Sequence, residues 1–240
     1  MIKHHPSRAL LEEFVSGNMV ASVSVIISSH IEMCSECKAL ADELTLIAAQ
    51  KEFDTDDTFF TENTDHDEFG EVDLSGIENA TEQDESFSKS LIESIMTQPV
   101  DQEDTLPTTV TEIDVSGTRI SLPRAIKSIA LKEWQGLGKV SRARLNLDDG
   151  ERRTSLLHIA KGGHVPSHTH NGFEITLLIQ GSFEDEMGTY EAGDFIWLDS
   201  EHTHTPVTQE GCVCLTVSSD ALHFTQGVSQ LFNPLGKLIY

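Results

Sequence analysis

The sequence of 240 residues predicts two domains, an N-terminal all-α domain of four helices and a C-terminal all-β domain built as a sandwich or small barrel. Three observations predict this. Apolar residues recur at helical spacing up to about residue 98, and from about residue 108 short runs of Val, Ile, Thr and Leu alternate with turn residues. The length also suffices for one large or two small hydrophobic cores.

The first two helices are expected before residue 30. Four apolar residues follow a typical N-cap, Ser7, at helical spacing: Leu10, Leu11, Phe14 and Val15. Segment 19–29 is ambiguous, because residues 21–25 alternate as in a strand. Since no partner strand is nearby, we favour a buried helix there.

Two further helices complete the predicted α domain. A helix from about Ser35 to about Gln50 carries an apolar face formed by Ala39, Leu40, Leu44 and Ile47. A short amphipathic stripe that ends at Pro99 predicts the fourth helix: Phe87, Leu91, Ile92 and Ile95.

Turn residues separate the predicted strands of the second half. They lie at Asp148-Asp149-Gly150, Lys161-Gly162-Gly163, Gly188 and Glu191-Ala192-Gly193-Asp194. No helical pattern intervenes, which favours a sandwich or barrel over a βαβ fold.

The charge is strongly negative and unevenly distributed. Sixteen Lys and Arg oppose 40 Asp and Glu, for a net charge of −24, and residues 51–104 account for −16 of it, with 18 acidic and two basic residues. This argues against direct binding to nucleic acid or anionic lipid, but not to a basic protein. We expect 52–86 to be a mobile acidic insert, in the simplest interpretation a solvated linker.

We therefore divide the chain into a helical domain at 1–98 containing this insert, a linker at 99–110 and a β domain at 111–240. The N-terminus lacks the apolar region of a signal peptide, and no apolar run is long enough to span a bilayer. The sequence therefore predicts a cytoplasmic protein without membrane association, in which the four cysteines are reduced.

The first motif is typical of a zinc site. His30, Cys34 and Cys37 follow one another at spacings of four and three, so that they meet at a helix junction. His4 or His5 can supply the fourth ligand. Two core cysteines beside a solvent-facing histidine, or a redox-active Cys-x2-Cys pair, are the alternatives.

The second motif runs from Gly162 to Gly181 and contains His168, His170 and Glu174. The two histidines share one face of a strand, and Glu174 joins that face if the strand continues without a bulge. His204, on a neighbouring strand, completes a set of three imidazoles and one carboxylate, which suits Zn, Fe, Mn or Ni.

These motifs carry a family resemblance. His-x3-Cys-x2-Cys with an N-terminal histidine resembles the zinc-binding anti-sigma family, and Gly-x5-His-x-His-x3-Glu-x6-Gly is the first motif of the cupins. Their order resembles that of the ChrR-type anti-sigma factors, in which a zinc anti-sigma domain precedes a C-terminal jelly-roll cupin. The second cupin motif is degenerate, with Asp199-Ser200-Glu201 before the histidine, and only Gly193 and His204 match it.

The resemblance implies a binding protein with no catalytic residues. It implies Zn²⁺ on His5, His30, Cys34 and Cys37, and a divalent metal, Zn²⁺ ahead of Fe, Mn or Ni, on His168, His170, Glu174 and His204. It also implies 1:1 sequestration of a group IV (extracytoplasmic-function, ECF) sigma factor. Release would follow an oxidative signal such as singlet oxygen or an organic peroxide.

Two other classes compete with this interpretation: a cupin dioxygenase or isomerase with a helical regulatory domain, and a metal or redox sensor without a sigma partner. The N-terminal zinc motif disfavours the enzyme, which has no use for it. Cys212 and Cys214 share one face of a strand and are either small core residues or, Cys214 above all, the site of oxidation during signalling.

Overall fold

The computed structural model describes residues 1–54, 89–97, 109–115 and 117–225. Residues 1–52 and 107–240 belong to one compact unit, and residues 53–106 to a second. The predicted acidic insert, apart from 52–54, lies outside the described residues, as does 226–240.

Apart from the last two residues of α3, three helices form the N-terminal part of the first unit: α1 (Arg8–Val15), α2 (Ala21–Met33) and α3 (Ser35–Asp54). Ser7 is the N-cap of α1, as predicted, and its Oγ accepts a hydrogen bond of 3.3 Å from the N–H of Leu10. The ambiguous second segment is helical, so the preferred interpretation is confirmed.

The apolar face predicted for α3 is wrong in part. Leu44 is buried and Leu40 half-buried, but Ala39 and Ile47 are exposed. The buried residues are instead spaced from Cys37 at helical intervals, through Ala41 and Leu44. The face is rotated because the side of α3 that carries Cys37 turns inward.

The fourth predicted helix is observed at 89–96, which we call α4. It belongs to the second unit. Its large apolar side chains are more than half exposed: Leu91, Ile92, Ile95 and Met96.

The described part of the second half is β-rich, as predicted. Eleven strands occur in the described residues: β1 (Glu112–Val115), β2 (Thr118–Ser121), β3 (Gln135–Leu137), β4 (Val140–Arg144), β5 (Arg153–Ile159), β6 (His168–His170), β7 (Glu174–Asp185), β8 (Gly188–Glu191), β9 (Phe195–Leu198), β10 (Cys212–Ser218) and β11 (Leu222–Phe224). A short 3₁₀ helix spans Arg124–Ile126.

The main sheet has seven antiparallel strands in the order β3-β4-β5-β10-β7-β8, with β9 also paired to β7. β1 pairs with β2 and β6 with β11 in two smaller sheets. Gly181 shows why the sequence needs glycine in β7: its φ is +80°, and a Cβ there would collide with the carbonyl of Gly211.

The two faces of the main sheet have different neighbours. One face buries Ile175, Leu177, Leu215 and Val217 in the same cluster as α2 side chains, namely Val23, Ile26 and Ile27. The other face contributes Leu178, Cys212 and Cys214 to a separate cluster. Complete burial of each aliphatic side chain contributes roughly 1.5–3 kcal/mol, so α2 is held firmly on the first face.

Polar contacts also join α2 to the β region. The side chain of Asp149, in the β4–β5 turn, accepts hydrogen bonds from the N–H of Ser22, at 3.2 Å, and from its hydroxyl. The N-cap of α2, Val20, has no side chain that could do this. Asp149 therefore provides an acceptor for an N–H group in the first turn of α2, which has no partner within the helix, although the two residues are 127 positions apart in the sequence.

None of the helices in the described residues is long and apolar enough to cross a bilayer.

Candidate metal centres

The structure brings together the first predicted ligand set. One ligand atom from each of His5, His30, Cys34 and Cys37 lies within 4.8 Å of the others. His5 precedes α1, His30 lies in the last turn of α2, and Cys34 is the C-cap of that helix. The N–H of Cys37, in the first turn of α3, donates to Cys34 Sγ at 3.5 Å, so both sulfurs face the same side of the junction.

The distances suit a tetrahedral zinc ion. His5 Nδ1 lies 3.4 Å from both Cys34 Sγ and Cys37 Sγ. Zn–S and Zn–N bonds at a tetrahedral angle place sulfur and nitrogen about 3.6 Å apart. Each of the two sulfurs therefore has, relative to His5 Nδ1, the spacing of ligands around one ion.

His30 supplies the clearest test of the fit. Its ring is completely buried, Nδ1–H donates to the carbonyl of Gly193 at 2.9 Å, and Nε2 has no hydrogen-bond partner. Burial lowers the pKa of His30 to about 4, so the ring is neutral. A buried, neutral imidazole nitrogen without a partner is a free lone pair, which a metal ion would satisfy.

The thiols also fit a cation. Burial and the neighbouring Cys34 raise the pKa of Cys37 to about 12. With its pKa raised in this way the Cys37 thiol holds its proton, and a bound zinc ion would stabilise the thiolate form.

His4 is not part of this set. Its Nδ1 lies 3.5 Å from Asp194 Oδ2, and its ring packs against Tyr190 at 4.8 Å between ring centroids. Of the two adjacent histidines, His5 is the one whose ring reaches the cysteines.

The second predicted set also converges: His168, His170, Glu174 and His204. The strand does not continue from the histidines to Glu174, because β6 ends at His170 and β7 begins at Glu174. His204 lies outside the named strands but forms a β-bridge with His168. The ligand set is therefore built from β6, the first residue of β7 and a bridging segment.

Its distances are those of ligands around one ion. Nε2 of His204 lies 3.0 Å from Nε2 of His168 and 3.4 Å from Nε2 of His170. Ligands at 2.1 Å from a metal are about 3.0 Å apart at a right angle and about 3.4 Å apart at a tetrahedral angle. Glu174 Oε2 lies 2.9 Å from His170 Nε2.

Two of these histidines are oriented by their other ring nitrogen. Nδ1 of His168 contacts the carbonyl of Pro166 at 2.8 Å, and Nδ1 of His204 contacts Asp185 Oδ2 at 3.1 Å. Such partners fix the ring orientation and raise the basicity of a metal ligand. The sequence motifs did not reveal Asp185, because it lies 19 residues from His204 and outside both patterns.

The charge state suits cation binding. Burial lowers the pKa of His168 to about 4, which keeps this imidazole neutral. Burial raises the pKa of Glu174, but the hydrogen bond from His170 and the three nearby imidazoles outweigh it, so the net direction is downward. One carboxylate among buried nitrogen lone pairs offers a cation a negative site.

The remaining candidates are members of neither set. His158 contacts Ser141, and His202 contacts Asp199. Cys212 and Cys214 are free and buried. The hydrogen bond with Cys212 and burial raise the pKa of Cys214, which disfavours its reactive thiolate form.

Fold and ligand sets together define a protein in which an N-terminal helical part with a cysteine-containing centre precedes a β-rich part with a histidine-rich centre. Residues 124–221 match the family described as the ChrR Cupin-like domain. The anti-sigma-E factor ChrR of Cereibacter sphaeroides is 27% identical over 239 residues, which cover 99% of each chain.

A solved structure gives the same result. The crystal structure of Rhodobacter sphaeroides SigE in complex with the anti-sigma ChrR matches with a TM-score of 0.56 and 28% identity, covering 91% of this chain and 100% of that one. The chain is thus similar to ChrR over both domains, and the resemblance to the ChrR-type anti-sigma factors, with a helical N-terminal part and a C-terminal cupin, is confirmed.

Proposed function

We propose that this protein is an anti-sigma factor that sequesters a group IV (ECF) sigma factor and releases it in response to an oxidative signal, singlet oxygen or an organic peroxide. The observation that carries the proposal is the similarity to ChrR along 99% of both chains, since it includes the helical part as well as the cupin. The curated relative is an anti-sigma-E factor, and the solved structure of a ChrR contains SigE.

Exposed apolar side chains supply anchors for such a partner. α2 is buried against the cupin sheet, whereas α3 exposes Leu46 by 66% and Ile47 by 49%. α4 exposes its apolar side chains as well. Buried apolar anchors contribute most of the binding energy in helix-mediated complexes. The net charge of −24 favours a basic partner and speeds encounter with it.

We assign Zn²⁺ to His5, His30, Cys34 and Cys37, and a divalent ion, Zn²⁺ ahead of Fe, Mn or Ni, to His168, His170, Glu174 and His204. Zinc on two thiolates and two imidazoles is a closed structural site that contributes folding energy. In the cupin, the three imidazoles and the carboxylate hold the ion, while Pro166 and Asp185 orient two of them.

The proposal keeps the division into a helical domain at 1–98, a linker at 99–110 and a cupin at 111–240. It places the protein in the cytoplasm, with one sigma factor per chain and no direct contact with nucleic acid or membrane. Oxidation of Cys212 or Cys214 remains our hypothesis for the signal. If it holds, replacing both with serine abolishes the oxidant response and leaves partner binding intact.

The test is transcription in vitro with the ECF sigma factor encoded nearby, RNA polymerase and the full chain. We expect inhibition at an equimolar ratio, and co-purification of the two proteins. Cys34→Ala should lose inhibition, while Cys212→Ala, a buried cysteine outside both ligand sets, should retain it.

Full inhibition by a Cys34→Ala protein that lacks zinc would separate the metal site from partner binding. A zinc-loaded chain that ignores the sigma factor would refute the anti-sigma function. Turnover of a small substrate by that same chain would favour the alternative, a cupin dioxygenase or isomerase.

A further inference from the structure

We infer that the cupin turn Gly193–Phe195 completes the N-terminal metal centre, with Asp194 as the residue that positions its ligands. This inference rests on the metal-binding part of the proposed function. It assigns a role to residues that belong to neither ligand set and lie more than 150 residues from the nearest N-terminal ligand in sequence.

Asp194 holds the segment that leads into His5. Its side chain is almost completely buried, at 1% exposure. Oδ1 accepts hydrogen bonds from the N–H of Lys3 at 2.7 Å and of His4 at 3.0 Å. Both donors directly precede His5, so this carboxylate fixes the backbone from which the His5 ring reaches the cysteines.

Phe195, the next residue of the turn, also contacts the N-terminal segment. The N–H of Phe195 donates to the carbonyl of His4 at 3.0 Å. Oδ2 of Asp194 accepts from the N–H of Glu191 at 2.8 Å, which ties the carboxylate to its own turn. The N-terminal segment is thus fastened to the cupin through both the N–H and the carbonyl of His4.

Gly193 and Phe195 contact His30, the other histidine of the N-terminal set. The carbonyl of Gly193 accepts from His30 Nδ1–H at 2.9 Å, and the ring of Phe195 meets the His30 ring edge-on, with the centroids 5.8 Å apart. This hydrogen bond selects the tautomer in which Nε2 carries the lone pair. Three consecutive residues of the cupin therefore control two of the four N-terminal ligands.

The contacts of Asp194 could instead serve only to dock the helices on the cupin. A second contact between the two parts, remote from the metal ligands, separates these explanations. Asp149 also accepts hydrogen bonds from the N-terminal part, at Ser22 in the first turn of α2. Ser22 lies about two helical turns from His30. Loss of the Asp149 contact should weaken docking without affecting the ligands.

The experiment compares Asp194→Asn with Asp149→Asn in the full chain loaded with Co²⁺. An asparagine offers one acceptor oxygen where the carboxylate offers two, so at least one of its three backbone donors is left unpaired. Thiolate-to-cobalt charge-transfer absorption reports the centre containing Cys34 and Cys37, whereas the cupin centre, with nitrogen and oxygen ligands, lacks that band. Its decay after addition of a chelator gives the release rate.

We expect release from the thiolate centre to be at least about tenfold faster in Asp194→Asn, the effect typical of losing an orienting partner of a metal ligand. Release in Asp149→Asn should match that of the unchanged protein, and retention of cupin metal in each variant should be unaltered. Equal rates in all three proteins, or equal acceleration in both variants, would overturn the inference.

If Asp194→Asn does not fold, a measurement on the unchanged protein tests the role of the turn at His30. With ¹⁵N-labelled histidine in the zinc-loaded chain, His30 should carry its proton on Nδ1 and its metal on Nε2. Metal on Nδ1, or no metal on His30, would contradict the role of the Gly193 carbonyl. None of these readouts involves a sigma factor, so failure of partner binding would leave this inference standing.

Discussion

The two candidate metal centres both contain histidines but are assembled differently. In the cupin, β-bridging sets the position of His168 opposite His204, whose backbone groups exchange hydrogen bonds of 3.0 and 3.1 Å. In the N-terminal centre, His5 and His30 come from a terminal segment and a helix end, and the cupin turn contacts His30 and the backbone of His4, the residue before His5. A ligand set on paired strands is fixed by strand register, whereas one at helix ends depends on tertiary docking.

From this comparison we expect the largest loss of metal and of inhibition when a ligand of the N-terminal centre is replaced. Cys34→Ala or His30→Ala should remove about one zinc ion per chain and abolish inhibition of the sigma factor, since structural zinc sites contribute roughly 10–16 kcal/mol of apparent binding free energy. Metal analysis and in vitro transcription measure the two effects. Unchanged zinc content in either variant would mean that the ligand assignment is wrong.

Replacing a ligand of the cupin centre should affect the response to oxidant and not the inhibition of the sigma factor. Replacing His170 or His204 with alanine should remove the second metal ion but preserve inhibition, because strand pairing maintains the sheet on which α2 rests. The response to oxidant should be lost. Reporter assays with and without peroxide distinguish these outcomes, and constitutive sigma activity would refute the division of labour.

A smaller effect is expected where a ligand keeps its place but loses its orienting partner. Asp185→Asn weakens the acceptor for His204 Nδ1 and should lower metal affinity in the cupin by about 10- to 100-fold. Competition with a chelator measures this. Asp199→Asn, which affects the non-ligand His202, is the matched control and should not change affinity.

The smallest effect should come from a contact that touches neither centre. Asp149→Asn removes a charged acceptor from the start of α2 and should cost about 1–2 kcal/mol of stability. Urea denaturation followed by circular dichroism measures the change, with metal content as the control. Zinc loss in this variant would show that docking and ligand geometry are inseparable.

The sequence predicted the two clusters of candidate ligands better than their surroundings. His30, Cys34 and Cys37 are neighbours along the chain, and His168, His170 and Glu174 form a continuous motif, so spacing alone revealed them. Asp185 and Asp194 could not be predicted in this way, because their contacts depend on tertiary folding and follow no period.

The helices show the same limit of local information. Local spacing was sufficient to predict α1 and α3 as helices, and the lack of a partner strand correctly favoured a helix for α2. The face of α3 was misjudged at Ala39 and Ile47, because the apolar pattern does not reveal that the side carrying Cys37 turns inward.

β9 places a constraint on how this protein can evolve. Phe195, at one end, touches His30, and Leu198, at the other, is paired with Glu174. At about 3.3 Å per residue, the strand spans only about 10 Å between contacts to the two centres. Exchange of the cupin for a homologous one would therefore also replace part of the surroundings of the helical centre. The two domains must be inherited together, or the turn and the N-terminal segment must change in step.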